Sequence, residues 1–176
     1  TINEEVGYVL RPDELRLIPG AVEALSELQG LGLGLGLVVL TNQSPIGRGM
    51  ITPAELDEIH ARLRDLLAEG AVTLDRIEVC PHRPDEGCAC RKPGTLMVER
   101  AVAAIGFDPR ESWIVGDHGS DLRLGRAVGA RTILVLTGHG REELAAGAGE
   151  HADRVVADLG EAAAVIRDEV LAGAEP

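Results

Sequence analysis

Apolar positions along this chain alternate between short unbroken runs and helix-spaced stripes. Ala21, Leu25 and Leu28 form a stripe that Pro19 can open and Gly30 can stop. The stretch LGLGLGLVVLTN (31–42) alternates leucine with glycine, which reads as a helix-to-strand connection, and then becomes a buried strand ending at Thr41. Thr52 and Pro53 pair an N-cap with a proline at the first helical position, and Leu56, Ile59, Leu63, Leu66 and Leu67 follow on one face. RIEVC (76–80) predicts a strand. Thr95 is expected to cap a helix through Ile105, with Gly106 past its end. SWIVG (112–116) predicts a strand, DLRLGRAVG (121–129) a helix closed by glycine, and RTILVL (131–136) another strand. DRVVADL and EAAAVIRDEVL add a short strand and a closing helix, after which only a loose tail is expected. Strands separated by helices predict an α/β fold, a parallel sheet with helices on both faces. There is no internal repeat, and 176 residues make one domain.

Composition narrows the partners. Only three residues are aromatic, so the core must be built from Leu, Val, Ile and Ala. Acidic side chains outnumber basic ones 29 to 17, for a net charge of −12. That balance argues against a nucleic-acid partner, yet local cations can still meet an anionic substrate. The longest apolar stretch, 31–40, is short and broken by glycine, so no membrane partner is expected. No cleavable signal is visible, and a cytoplasmic location with reduced thiols is expected. The chain opens on Thr1 rather than methionine, which implies processing or truncation upstream.

All three cysteines fall within VCPHRPDEGCACRKPG (79–94). Cys80-x-His82 and Cys88-x-Cys90 are two close pairs that can converge as three thiolates and an imidazole, a closed tetrahedral zinc site. A disulfide with a spare thiol, or three unrelated thiols, fits the odd count, the histidine and a reducing compartment less well. Four protein ligands leave no open position, so this zinc is expected to be structural. Arg91 and Lys92 follow at once. They are either two surface cations or a fork and a point charge held ready for phosphate. Thr41 and Asn42 sit where an apolar strand stops, a place where parallel sheets bind ligands, although polar loops after strands are ordinary. Asp117 lies past the end of another strand, and Asp121 follows in WIVGDHGSD. Such hard oxygen donors suit Mg²⁺, and Asp121 also reads as a helix N-cap. His118 and His139 read as solvated loop residues, and His60 as a helix-surface residue.

Taken in order, TINEEVGY, LVVLTNQSPIGRG, CPH…CACRKPG and IVGDHGSDLRLGRAVG resemble the D-glycero-D-manno-heptose 1,7-bisphosphate phosphatases of the haloacid dehalogenase superfamily, kin of histidinol-phosphate phosphatases. The resemblance spans nearly the whole chain. It implies a Rossmann-like haloacid dehalogenase fold without a large cap domain, and magnesium-assisted hydrolysis through an aspartyl-phosphate. It further implies that Thr41 and Lys92 stabilise the transferring phosphoryl group, that Arg91 reads the substrate and that Asp117 binds Mg²⁺. Glu5, Val6, Gly7, Tyr8, Asn42, Gln43 and Ser44 would line the sugar end. His118 stands where the family often has lysine, and Pro45 where it usually has glycine. The implied partner is a small phosphorylated sugar, and the implied pathway is heptose supply for lipopolysaccharide or other surface glycans. A monomer is the simplest expected state.

Relatives in that family carry an Asp-x-Asp-Gly motif at the end of a first, central strand, immediately before the residues matching Thr1-Ile2-Asn3. Its first aspartate is the nucleophile and its second the general acid–base. The resemblance therefore implies a single phosphatase domain over 1–176, with its zinc loop at 80–90, that lacks the nucleophile strand. Without a carboxylate nucleophile, residues 1–176 alone are expected to be inactive. Two alternatives stand beside this reading: a histidinol-phosphate phosphatase, and a non-catalytic zinc-stabilised phosphate-binding or interaction module. Ladder pairing between 35–41 and 112–116 would favour the module.

Overall fold

The computed structural model describes residues 1–32 and 34–173. Leu33 of the leucine–glycine stretch, and 174–176 of the expected tail, lie outside the described residues. Among the described residues, five strands alternate with seven α-helices: α1 (Ala21–Gly30), β1 (Val38–Asn42), α2 (Ser44–Gly47), α3 (Pro53–Ala68), β2 (Arg76–Cys80), α4 (Leu96–Ile105), β3 (Trp113–Gly116), α5 (Gly119–Val128), β4 (Arg131–Val135), α6 (Gly140–Ala145), β5 (Arg154–Val156) and α7 (Leu159–Gly173). Every strand pair is parallel. β1 pairs with β2, placing Thr41 opposite Val79 and Asn42 opposite Cys80. β3, β4 and β5 form a second group in that order. Among the described residues β1 and β3 share no ladder.

The two-residue strand period sorts the core into two layers. Ile133 and Val135 of β4, with Val39 and Ile77, pack toward α1, α3 and α7 through Leu25, Leu28, Leu67, Ala162 and Ile166. Leu134 turns the other way, onto Leu122 of α5 and Ala148. Leu40 likewise faces Cys80, Cys90 and Met97, on the α4 side. Helices therefore cover both faces, as the strand–helix alternation predicts. None of the helices among the described residues is long and apolar enough to cross a membrane.

Several local expectations change. β1 is half-buried throughout rather than buried, because it is laddered on one side only. Pro19 precedes α1 instead of opening it, and Gly20, in the left-handed region at φ +84°, takes the N-cap position. Thr52 caps α3 as expected: its hydroxyl accepts the Glu55 N–H at 3.3 Å, while Glu55 accepts the Thr52 N–H at 2.7 Å. Thr95 occupies the N-cap position of α4 but makes no side-chain cap, its hydroxyl donating to Glu99 at 2.6 Å instead. His60 is half-buried on α3, and burial, the largest influence on it, holds its imidazole pKa below the usual value.

Candidate active site and metal centre

The chemistry-bearing residues gather at the carboxyl ends of the strands. Thr41 and Asn42 end β1, Cys80 ends β2, Asp117 follows β3, and the Thr137–Gly138–His139 turn follows β4. Lys92 ties three of these segments together. Its amine donates to the Leu40 carbonyl at 2.7 Å and meets Asp121 Oδ1 at 2.7 Å, and its backbone N–H donates to Asn42 Oδ1 at 3.0 Å. The Lys92–Pro93 peptide is cis. Asp121 is only 6% exposed and sits in the third position of α5, not at its N-cap. The N-cap is His118, whose N–H donates to Asp121 Oδ2 at 3.2 Å. One carboxylate thus starts the helix and holds the lysine, and charge and hydrogen bonds are both satisfied in a nearly dry place.

Asp117 is shared between two sets of donors. Oδ1 receives the Thr1 ammonium at 3.1 Å and the Thr1 hydroxyl at 2.5 Å, while Oδ2 receives the His139 N–H at 3.0 Å. Burial raises this carboxyl, but the Thr1 ammonium, the Thr1 hydroxyl and the His139 amide outweigh it and hold the pKa at about 2. Asp117 thus has Oδ2 held by the turn after β4 and Oδ1 facing Thr1.

The N-terminal segment forms one wall. The Ile18 N–H donates to the Ile2 carbonyl at 2.9 Å and the Glu4 N–H to the Arg16 carbonyl at 2.8 Å, which throws the residues between them out as a loop. On that loop Gly7 takes φ +78°, Val6 is 53% exposed and Tyr8 is 43% exposed. The Tyr8 hydroxyl accepts from Ser44 at 3.4 Å, and that bond, with the nearby Arg48 and Arg91 guanidinium groups, lowers the phenol's pKa. Gln43 donates its N–H to the Cys80 carbonyl at 2.7 Å, and Arg91 reaches the His82 carbonyl at 3.3 Å. Glu5 contacts His139 at 3.4 Å, and His118 meets Glu143 at 2.6 Å. His118 and His139 are not independent solvated residues. Their rings lie 4.7 Å apart, each beside a glutamate, because the turns after β3 and β4 meet here.

Cys80, His82, Cys88 and Cys90 converge, their donor atoms all within 4.8 Å of one another, and all three cysteines are free thiols. The sulfur pairs lie 3.5, 3.2 and 3.6 Å apart, and His82 Nδ1 is 3.6 Å from Cys80 and 3.2 Å from Cys90. A tetrahedron with Zn–S of about 2.3 Å has sulfur edges of about 3.8 Å, so the donors are spaced for a tetrahedral soft metal ion and far too widely for a disulfide. Burial, aided by bonds from Cys90 and Cys88, pushes the Cys80 thiol up to about 12. Burial also raises Cys88, but the Arg91 N–H and the other two thiols outweigh it and bring that thiol to about 7. The cluster ends at Cys90, so it fixes the backbone from which Arg91 and Lys92 project.

Three contributors have roles that the motifs do not give. Asp121 is the buried anchor of Lys92. Arg48, just after α2 and inside the LVVLTNQSPIGRG stretch, stands beside Tyr8, a role its spacing does not reveal. The TGHG turn (137–140) wraps Asp117, and its only sequence signal is a pair of glycines straddling one polar residue after an apolar strand.

Comparisons with known proteins identify the family. A family described as HAD-hydrolase-like matches residues 89–162. A D-glycero-beta-D-manno-heptose-1,7-bisphosphate 7-phosphatase of Pseudomonas putida is 44% identical over 146 residues, 81% of either chain. The chain belongs to this phosphatase family. A further member, from Bordetella bronchiseptica, is 37% identical over 86% of this chain and 84% of its own. The crystal structure of the B. bronchiseptica D,D-heptose 1,7-bisphosphate phosphatase, complexed with magnesium and phosphate, superposes with a TM-score of 0.88 at 35% identity, covering 96% of this chain and 94% of that one. The enzyme from Burkholderia thailandensis gives 0.67 at 33% identity, covering 90% and 89%. In this family's haloacid dehalogenase-like fold, Asp117 offers the hard oxygen donors that magnesium requires. Among the described residues, the hydroxyl of Thr137, in the turn that wraps Asp117, is buried without a hydrogen-bond partner, which fits a site that takes up a solvated ion.

Proposed function

We propose that this chain is the body of a magnesium-dependent phosphatase that removes the C7 phosphate of D-glycero-D-manno-heptose 1,7-bisphosphate. The observation that carries the reading is the Lys92 amine, held at 2.7 Å by both Asp121 and the Leu40 carbonyl, at the same strand ends as Thr41 and the anionic Asp117. Lys92 and Thr41 stabilise the phosphoryl group during transfer, by positive charge and by a hydroxyl donor. Asp117 holds magnesium, which when bound stabilises the charge spread over the phosphoryl oxygens. Arg91 orients the sugar bisphosphate, and Glu5, Val6, Gly7, Tyr8, Asn42, Gln43, Ser44 and His118 line the sugar end. Cys80, His82, Cys88 and Cys90 hold a structural zinc that fixes the approach to Arg91 and Lys92. The protein acts in the cytoplasm, as a monomer, in heptose supply for surface glycans.

Among the described residues, no carboxylate stands ready as nucleophile beside Lys92: Asp121 is engaged by the lysine itself and Asp117 is the magnesium ligand. The nucleophile in this reading is the first aspartate of an Asp-x-Asp-Gly strand preceding Thr1 and seated between β1 and β3, which do not pair with each other. Its carboxylate oxygen attacks phosphorus, the ester bond to the C7 oxygen breaks, and the second aspartate protonates the leaving alkoxide. Water then releases phosphate from the aspartyl-phosphate. The test is hydrolysis by the chain extended with such a strand, in Mg²⁺, on the heptose bisphosphate and on histidinol phosphate. The reading requires the bisphosphate to have the higher kcat/KM, and a preference for histidinol phosphate would reassign the substrate.

A further inference from the structure

The turn after β4 makes a close cradle for Asp117. The His139 N–H donates to Asp117 Oδ2 at 3.0 Å. Gly138 takes φ +54°, and a Cβ there would lie 2.3 Å from the same Oδ2. Gly140 is equally confined, since a Cβ on it would meet the Val135 carbonyl at 1.8 Å. Only a turn with glycine at both positions can come this close to the carboxylate and aim an amide at it. The opposite oxygen, Oδ1, faces Thr1, whose hydroxyl donates to it at 2.5 Å.

We infer that Gly138 and the His139 backbone N–H are positioning residues for Asp117: they fix Oδ2 and so leave Oδ1 for the magnesium ion. The inference rests on the magnesium site of the proposed function and deepens it. A carboxylate on a single bond from Cβ to the carboxyl group can rotate, and rotation would present either oxygen, or both, to the ion. The amide and the missing side chain together select one orientation. Neither group would touch the ion or the substrate. Partners that hold a metal-binding carboxylate in this way are worth about 10- to 100-fold in metal affinity. The imidazole of His139 takes no part in this, since its contacts run to Glu5 at 3.4 Å and Glu142 at 3.7 Å.

The experiment is calorimetric binding of Mg²⁺, with Mn²⁺ binding by electron paramagnetic resonance in parallel. It uses the strand-extended chain as parent, with the variants Gly138→Ala, His139→Pro and His139→Ala made in it. His139 has φ −83°, which proline can adopt, so His139→Pro deletes the N–H with little change of backbone. Gly138→Ala and His139→Pro are expected to weaken Mg²⁺ binding at least about tenfold. Zinc content should match the parent's in both, and the thermal midpoint should match in His139→Pro, readouts that a general structural fault would move; Gly138→Ala, at φ +54°, should lower the midpoint modestly. His139→Ala, which keeps the amide, should bind as the parent does. Should Gly138→Ala fail to fold, the proline–alanine pair at His139 decides alone. Equal binding by parent and His139→Pro, or an equal loss in His139→Ala, would overturn the inference while leaving the magnesium site intact. No Mg²⁺ binding by the parent itself would overturn the proposed site, and this inference with it.

Discussion

The Lys92 amine stands 2.7 Å from Asp121 Oδ1, and both side chains are nearly excluded from solvent, at 16% and 8% exposure. A pair this dry is far more sensitive to losing one partner than a surface ion pair is. Asp121→Ala leaves the ammonium with only the Leu40 carbonyl and removes the acceptor of the His118 N–H. It should lower stability by about 3 kcal/mol, read by urea unfolding of the lone tryptophan, Trp113. In the strand-extended protein it should also cut kcat by about a hundredfold or more, because the cation meant for the phosphoryl group is no longer aimed. Wild-type stability in this variant would mean that the pair is not a structural anchor.

The metal cluster predicts a separate loss. Exhaustive chelation should strip one zinc per chain and lower the thermal midpoint by on the order of 10 °C. Cys88→Ser should purify with little zinc and show the same lowered midpoint without chelator. Metal analysis by mass spectrometry checks both, and an unchanged midpoint after complete removal of the metal would count against a structural role.

His60 predicts a pH effect on stability. Its folded pKa lies below the unfolded value because burial disfavours the imidazolium, with Asp57 opposing and Arg64 adding to the effect. The unfolded chain therefore binds more protons just below the ordinary histidine pKa of about 6.5. Stability should fall as pH drops from about 6.5 through the folded pKa, and His60→Gln should flatten that part of the curve. Urea midpoints measured across this range decide it. A slope identical in both proteins would assign the pH dependence elsewhere.

The helix-start signal at Thr52 predicts a modest cost. Thr52→Ala removes the hydroxyl that accepts the Glu55 N–H and should destabilise by about 1 kcal/mol, measured by the same urea unfolding.

That cap was legible because its partners lie three residues apart, and the metal cluster was legible for a similar reason. Its ligands sit on one short loop whose spacing alone brings them together. The strand order of elements was equally readable from the alternation of apolar runs and stripes. What the chain could not reveal locally was assembled across the fold. Asp121 looked like a cap or a metal ligand because its lysine lies on the far side of α4 and β3. The His118–His139 pair depends on two separate strands ending side by side. The half-burial of β1 depends on which neighbours it finds, and an apolar run reports only that a neighbour is wanted.

The central claim is that the Asp117–Lys92 site acts on the C7 phosphate of a heptose bisphosphate once a strand bearing the nucleophile stands between β1 and β3. Phosphorus NMR of D-glycero-D-manno-heptose 1,7-bisphosphate in Mg²⁺ tests this most directly, with residues 1–176 alone and with the Asp-x-Asp-Gly extension compared side by side. The extended chain should remove the C7 phosphomonoester signal and leave the C1 phosphate in place, while residues 1–176 alone should change neither. Release of the C1 phosphate, or equal turnover by the two proteins, would contradict that claim.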